Sequence, residues 1–326
     1  MAALQTIAKL LPDAIVSPTT ILLPVADGAD THRPGATHTV HVSACPIGIE
    51  PGAFSSLVET PSCQARIAEL SELYAGMHVV LGVDRLDPIK GLPHRLLAIE
   101  KFFVTFPYWR KRVVFVIIAV PSRLDNEAYK SLTRTVSALV SRVNGAFGDL
   151  SWQPVAFINR SISPVELAAL YNIAASCLIT SLNDGMNLVA EEYIASQCAP
   201  CPLRAAPGVL VLSEFAGCAQ SLGDGAVICN PWSPAGVAAC LNTALSMPDA
   251  ERRSRWAIAI ARVRAFTSTA WAQTLVGDMV AVRDAVSGRS SSTGSGCPAA
   301  GEEKRRSLPA AGGGGGDSPR AQAAVT

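Results

Sequence analysis

The chain has 326 residues, 49% hydrophobic and 16% charged, with 27 basic and 26 acidic side chains and a net charge of +1. That composition excludes a disordered chain and indicates a well-buried α/β core. The near-neutral balance gives no reason to expect nucleic acid or a membrane surface as partner. No apolar run approaches the length of a membrane span.

Residues 4–38 mix Pro, Thr and Ala without a motif, and the first 25 residues hold one lysine and no signal-peptide core. A cytoplasmic protein is expected; a plastid transit peptide, suggested only by the shortage of acids there, is the weaker reading. His32, His38 and His41 form a loose cluster that is read as incidental. Residues 79–83, Val-Val-Leu-Gly-Val, are a short apolar strand running into Asp84-Arg85-Leu86-Asp87-Pro88-Ile89-Lys90-Gly91, and an amphipathic helix follows over about 93–103. Arg85 and Lys90 thus stand five residues apart at the carboxyl end of a strand, where open α/β sheets bind ligands. Arg85 can grip phosphate oxygens in a fork and Lys90 can add a mobile point charge. The plainer alternative is a solvated loop of surface ion pairs, which contribute little.

Residues 113–119 are a strand of the kind buried on both faces, ending at Pro121-Ser122-Arg123. If the two strands are neighbours, Arg123 lies near Arg85 and Lys90. A third apolar run, residues 177–181, leads into Asp184-Gly185-Met186-Asn187-Leu188-Val189-Ala190-Glu191-Glu192. That order predicts strand, tight turn and helix start. Asp184 is a capping residue type, Gly185 lets the backbone approach a ligand, and the amides of Met186, Asn187 and Leu188 become unpaired first-turn donors for an anionic or hydroxyl-rich ligand. An ordinary capped connection would read the same way. Cys198-Ala-Pro-Cys201 has redox or half-zinc spacing, but no second pair is placed to complete a metal site, so no metal is expected. Cys45, Cys177, Cys229 and Cys240 read as small core residues. A helical stretch covers about 249–286. From Ser287 the chain is rich in Ser, Gly, Pro and Ala, with a pentaglycine at 312–316, and disorder is expected.

The Arg85–Lys90 block, residues 118–123, Asn144-Gly145, Leu170-Tyr171, residues 184–189, residues 212–217 and Asn230-Pro231-Trp232 stand in an order and spacing that resemble the trehalose-6-phosphate synthases, glycosyltransferase family 20. Pro46-Ile47-Gly48-Ile49 extends the resemblance upstream, so it runs over about 40–286. It implies three segments: 1–39 unrecognised and poorly ordered, 40–286 a nucleotide-sugar-binding domain with C-terminal helices, and 287–326 a disordered tail. The implied fold is an α/β, Rossmann-like parallel-sheet domain of a GT-B glycosyltransferase. A further Rossmann-like domain precedes it in the family, and nothing in residues 1–39 resembles that domain.

The implied reaction transfers glucose from UDP-glucose to glucose-6-phosphate with retention of configuration, giving trehalose-6-phosphate and UDP. No cofactor or metal is implied, and UDP-glucose is a substrate. Carried over by position, Arg85 and Lys90 hold the donor diphosphate, Arg123 helps bind the acceptor phosphate, and Asp184 hydrogen-bonds the transferred glucose. The backbone of Gly185, Met186, Asn187, Leu188 and Val189 surrounds the donor, and Glu192 takes the ribose hydroxyls. The catalytic set is then Arg85, Lys90 and Asp184. Eight residues past Asp184, Glu192 is expected to face the same cleft from deeper along the helix.

Three positions depart from the family pattern: Pro88 for a tyrosine, Asn183 for an arginine and Glu191 for a frequent lysine. They alter local charge and loop shape and leave the named contacts in place. Other trehalose synthase subunits are candidate partners. The alternatives are a non-catalytic, regulatory member of the family and, against the Asp184–Val189 block, a sucrose or glycogen synthase.

Overall fold

The computed structural model describes the backbone of residues 15–16, 20–24, 37–122 and 126–286. The expectations for Arg123, for most of 1–39 and for 287–326 lie outside the described residues. Within the motif-free start, strands β1 (Ile15–Val16), β2 (Thr20–Pro24) and β3 (Thr37–His41) pair in an antiparallel sheet, with Ile21 opposite Val40.

Six further strands build one parallel sheet: β4 (His78–Arg85), β5 (Val113–Val120), β6 (Val155–Ile158), β7 (Ser176–Ile179), β8 (Val209–Ser213) and β9 (Val227–Cys229). Their near-continuous apolar runs suit burial on both faces. Val79, Leu81, Val114, Val116, Ile118, Cys177 and Leu212 point into one core, and Val80, Phe115, Ile117, Leu178 and Val211 into the other. In chain order the helices begin with α1 (Pro51–Glu59), α2 (Pro61–Leu73), α3 (Leu92–Thr105), α4 (Glu127–Phe147) and α5 (Pro164–Ile173). They continue with α6 (Leu188–Ala195), α7 (Ala219–Leu222), α8 (Pro234–Leu245), α9 (Asp249–Ala265) and α10 (Ser268–Val286). The first core is covered by α1, α2, α5, α6 and α9, and the second by α3, α4 and α8.

Local chemistry starts several of these helices. Thr60, Ser163 and Ser233 accept from the amides of Cys63, Glu166 and Gly236, and a proline follows each cap. The hydroxyl satisfies an orphan amide, and proline, which has none, fits the first helical position. The helix expected over 93–103 is α3. The helical stretch expected over about 249–286 is present as two helices, α9 and α10. Glu50 explains the break: its Oε1 accepts from Ser268 Oγ at 2.7 Å, Thr269 N at 2.9 Å and Thr269 Oγ1 at 2.7 Å, capping a new helix. The Phe266 carbonyl also presses on Gly48, where a Cβ would lie 1.6 Å from its oxygen.

The strand order is β6-β5-β4-β7-β8-β9. From β4 the chain winds through β5 to β6 on one side, then crosses back so that β7 lies against β4 on the other. The carboxyl ends of β4 and β7 are therefore the topological switch point, where diverging loops leave a crevice.

Candidate active site

At the end of β4, Asp84 is buried and Arg85 exposed. The next residues form a single 3₁₀ turn, Pro88–Lys90, capped by Asp87 Oδ1, which accepts from Ile89 N at 3.2 Å. Gly91 closes the turn with φ 67°, and a Cβ there would sit 2.1 Å from the Thr180 carbonyl oxygen. Only glycine meets both demands at low cost. The turn aims Lys90 across the switch point, where its Nζ donates to Asp184 Oδ2 at 2.6 Å.

Asp184 follows β7. Its Oδ2 also accepts from Asn187 Nδ2 at 2.9 Å and Ser181 Oγ at 3.1 Å. Its backbone is held by the loop after β8: Asp184 N donates to the Phe215 carbonyl at 3.1 Å, and Gly217 N donates to the Asp184 carbonyl at 2.8 Å. Asp184 is not the helix cap that its residue type suggested. The first helical residue is Leu188 and the cap is Asn187, whose side chain serves Asp184 rather than the backbone. The turn between β7 and α6 is longer than a simple capped start because the β8 loop clamps Asp184 and Gly185 outside the helix. The open first-turn amides accordingly begin at Leu188, with Val189 next, instead of at Met186.

Arg85, Lys90, Glu192 and residues 186–189 line one cleft of 240 Å³, together with Val83 and Asp84. Asp184 stands behind Lys90, and Gly185 is exposed with open space around it. Glu192 lies four residues into α6, and its Oε2 accepts from Tyr171 Oη at 2.8 Å. Burial raises the Glu192 carboxyl above its ordinary range, and the Tyr171 hydrogen bond opposes that rise. The positive end of α6, the two cations and a carboxylate thus share one cleft, which suits a ligand carrying both phosphate and hydroxyls.

Of the sequence-predicted site residues, Arg85, Lys90, Met186, Asn187, Leu188, Val189 and Glu192 line the cleft, Asp184 joins it through Lys90, Gly185 lies outside its lining, and Arg123 is outside the described residues. The premise for placing Arg123 nearby holds, since Arg85 pairs in register with Val120 on the neighbouring strand. A larger groove, 660 Å³, lies between residues 41–43 and α10, but Leu275, Met279 and Val282 make its walls apolar and no cluster of cations lines it.

Sequence reading missed the floor of the cleft. Arg95, on α3, is fully buried, with Nη2 on Asp84 Oδ2 at 2.5 Å and Nε on Thr180 Oγ1 at 3.0 Å. Its trace in the sequence was Gly82, a bare position in the middle of an apolar strand, which marks a close approach. A Cβ at Gly82 would lie 2.4 Å from Arg95 Nη1. The clamp at residues 213–217 was also given no role, since its contacts are long-range backbone ones.

Residues 20–281 match the model of glycosyltransferase family 20. The chain is 44% identical over 232 residues to the UDP-forming α,α-trehalose-phosphate synthase A of Dictyostelium discoideum, covering 71% of this chain and 31% of that one. Among solved structures, a UDP-forming α,α-trehalose-phosphate synthase from Burkholderia xenovorans in complex with glucose-6-phosphate superimposes with a TM-score of 0.72 at 34% identity, covering 81% of this chain and 55% of that one. A structure described as trehalose-6-phosphate from E. coli bound with UDP-2-fluoro glucose gives 0.73 at 33% identity, covering 83% and 56%. The chain therefore spans about a third of that curated relative and just over half of those solved chains.

Proposed function

The chain belongs to glycosyltransferase family 20, and from that membership and the cleft at the β4–β7 switch point we propose that it serves as a retaining glucosyltransferase of trehalose biosynthesis. In this reading it has the GT-B donor fold, acts in the cytoplasm, binds UDP-glucose and delivers glucose to glucose-6-phosphate, releasing trehalose-6-phosphate and UDP. The observation that carries the reading is the convergence of Arg85, Lys90, the open first turn of α6 and Glu192 on one cleft.

The chemistry follows from charge. Cleaving the glucose–phosphate bond leaves negative charge on UDP and an oxocarbenium-like sugar, so cations already aimed at the phosphate lower the barrier without reorganising. Arg85 and Lys90 take the diphosphate, assisted by the amides of Leu188 and Val189. Lys90 rests on Asp184 at 2.6 Å, and its three N–H donors allow it to turn to phosphate while Asp184 accepts from a sugar hydroxyl. Glu192, oriented by Tyr171, receives the ribose hydroxyls. Arg123 is assigned to the acceptor phosphate on the family pattern. The charge on the leaving group is met by protein cations and amides, so the proposal calls on no metal.

Titration calorimetry with UDP tests the site. The chain should bind UDP, with affinity falling as salt rises because Arg85 is exposed. Arg85→Ala should weaken binding by roughly tenfold to a hundredfold, the loss of about 1.5–3 kcal/mol for a hydrogen bond to a charged group. Parent-like affinity in Arg85→Ala would remove Arg85 from the site.

A further inference from the structure

Arg95 is the largest fully buried side chain among the described residues and does not itself line the cleft, which it meets only through Asp84. A guanidinium removed from water is costly, and where packing is the only need a neutral side chain of similar volume does as well or better. Its contacts show what the charge serves. Nη2 holds Asp84, the residue before Arg85 on β4, and Nε holds Thr180, the residue after β7. The same Thr180 hydroxyl reaches the Gly91 carbonyl at 3.4 Å, directly after Lys90. One residue beyond Thr180, Ser181 donates to Asp184 at 3.1 Å, and Leu182 N bonds the Ile89 carbonyl at 2.7 Å. A single planar side chain therefore spans both strands of the switch point, under the place where their loops meet.

The surroundings are shaped for it. Gly82 leaves the strand bare where Nη1 lies, and Gly91 leaves the loop bare where the Thr180 carbonyl presses. Asp84 Oδ1 and Arg95 Nη1 have no hydrogen-bond partner, so the pair is held by one Nη2–Oδ2 bond and by Thr180, not by a saturated network. Lysine cannot reproduce this, because a point charge lacks the fork that reaches Asp84 and Thr180 together.

We propose that Arg95 is a positioning residue of the diphosphate site: by tying Asp84 on β4 to Thr180 on β7 it sets the spacing between the loop that carries Arg85 and Lys90 and the turn that carries Asp184. The proposal rests on the reading of the cleft as a UDP site, and its test separates the two.

Arg95→Lys and Thr180→Val are compared with the parent for UDP affinity, thermal midpoint and amide hydrogen exchange, each at the same interval below its own midpoint. Both variants should bind UDP about tenfold more weakly while still melting cooperatively, since a site loosened by a fraction of an ångström loses charge-assisted contacts. Exchange should quicken in residues 86–91 and 181–187 and stay unchanged in β5 and β8. Parent-like UDP affinity in both variants, or exchange that quickens uniformly across the sheet, overturns the proposal and makes Arg95 a structural arginine. If Arg95→Lys does not fold, Thr180→Val decides alone. If the parent itself does not bind UDP, the donor reading fails, and localised or uniform exchange still decides whether Arg95 sets the two loops.

Discussion

Two adjacent carboxylates on α6 meet opposite surroundings. Glu192 faces the cleft beside Tyr171, whereas Glu191 is 2% exposed, takes the Ile49 amide and leaves Oε2 without a partner. Burial pushes Glu191 from the ordinary 4.5 up to about 7, the Ile49 hydrogen bond opposing and the charge of Glu192 adding to it. Between those two values the folded chain binds more protons than the unfolded one, so this group lowers stability as pH rises from 4.5 to about 7 and its penalty is complete above 7. The penalty is on the order of 3 kcal/mol. Glu191→Gln should melt several degrees above the parent at pH 8 and close to it at pH 4.5. Equal gaps at both pH values would show that Glu191 does not titrate in that window. At this scale the sequence was legible for the placement of Arg85, Lys90 and Glu192 on one cleft, which depends on nearness to a strand or helix end. It marked Glu191 only as an acid where the family often has lysine and did not show its burial, because nothing local shows that Ile49 folds over it.

At the scale of elements, two glycines beside Asp184 behave differently for a geometric reason. Gly217, between β8 and α7, sits where a Cβ would lie 1.8 Å from the Gly185 carbonyl oxygen, and its amide holds the Asp184 carbonyl. Gly185 has nothing within 4 Å of its own Cβ position. Gly217→Ala should therefore cost about 1–3 kcal/mol by overpacking and also weaken UDP binding, since backbone must move where Asp184 is clamped. Gly185→Ala should melt like the parent. Chemical denaturation of the two variants side by side checks this, and a Gly217→Ala protein as stable as the parent would show that the clamp yields freely. The long apolar strands were legible because burial on both faces writes itself into consecutive residues. The start of α6 was misplaced because Asp184 has a capping residue's chemistry but spends its carboxylate on Lys90, Ser181 and Asn187.

Across the whole molecule, α10 presents Leu275, Val276, Met279 and Val280 to solvent, with Met279 66% exposed. Residues so spaced share one helical face, and an apolar stripe of that size favours association. Val276→Glu with Met279→Glu should lower self-association in sedimentation velocity and leave UDP affinity unchanged, because none of the four stripe residues lines the cleft. A parent that stays monomeric at every concentration would refute a role for the stripe. No helix among the described residues is long and apolar enough to cross a membrane.

By itself the sequence determined the α/β class, the strands that end at Arg85 and before Asp184, and most of the side chains that line the cleft. These follow from patterns within about ten residues: apolar runs, glycine turns, and cations placed just past a strand. Tertiary structure alone decided that β7 lies against β4, that Lys90 meets Asp184 across 94 positions, and that Arg95 lies beneath them both. Strand order is chosen by how whole layers of helices bury the two faces of the sheet. No local segment carries that free energy, so no local segment could have announced it.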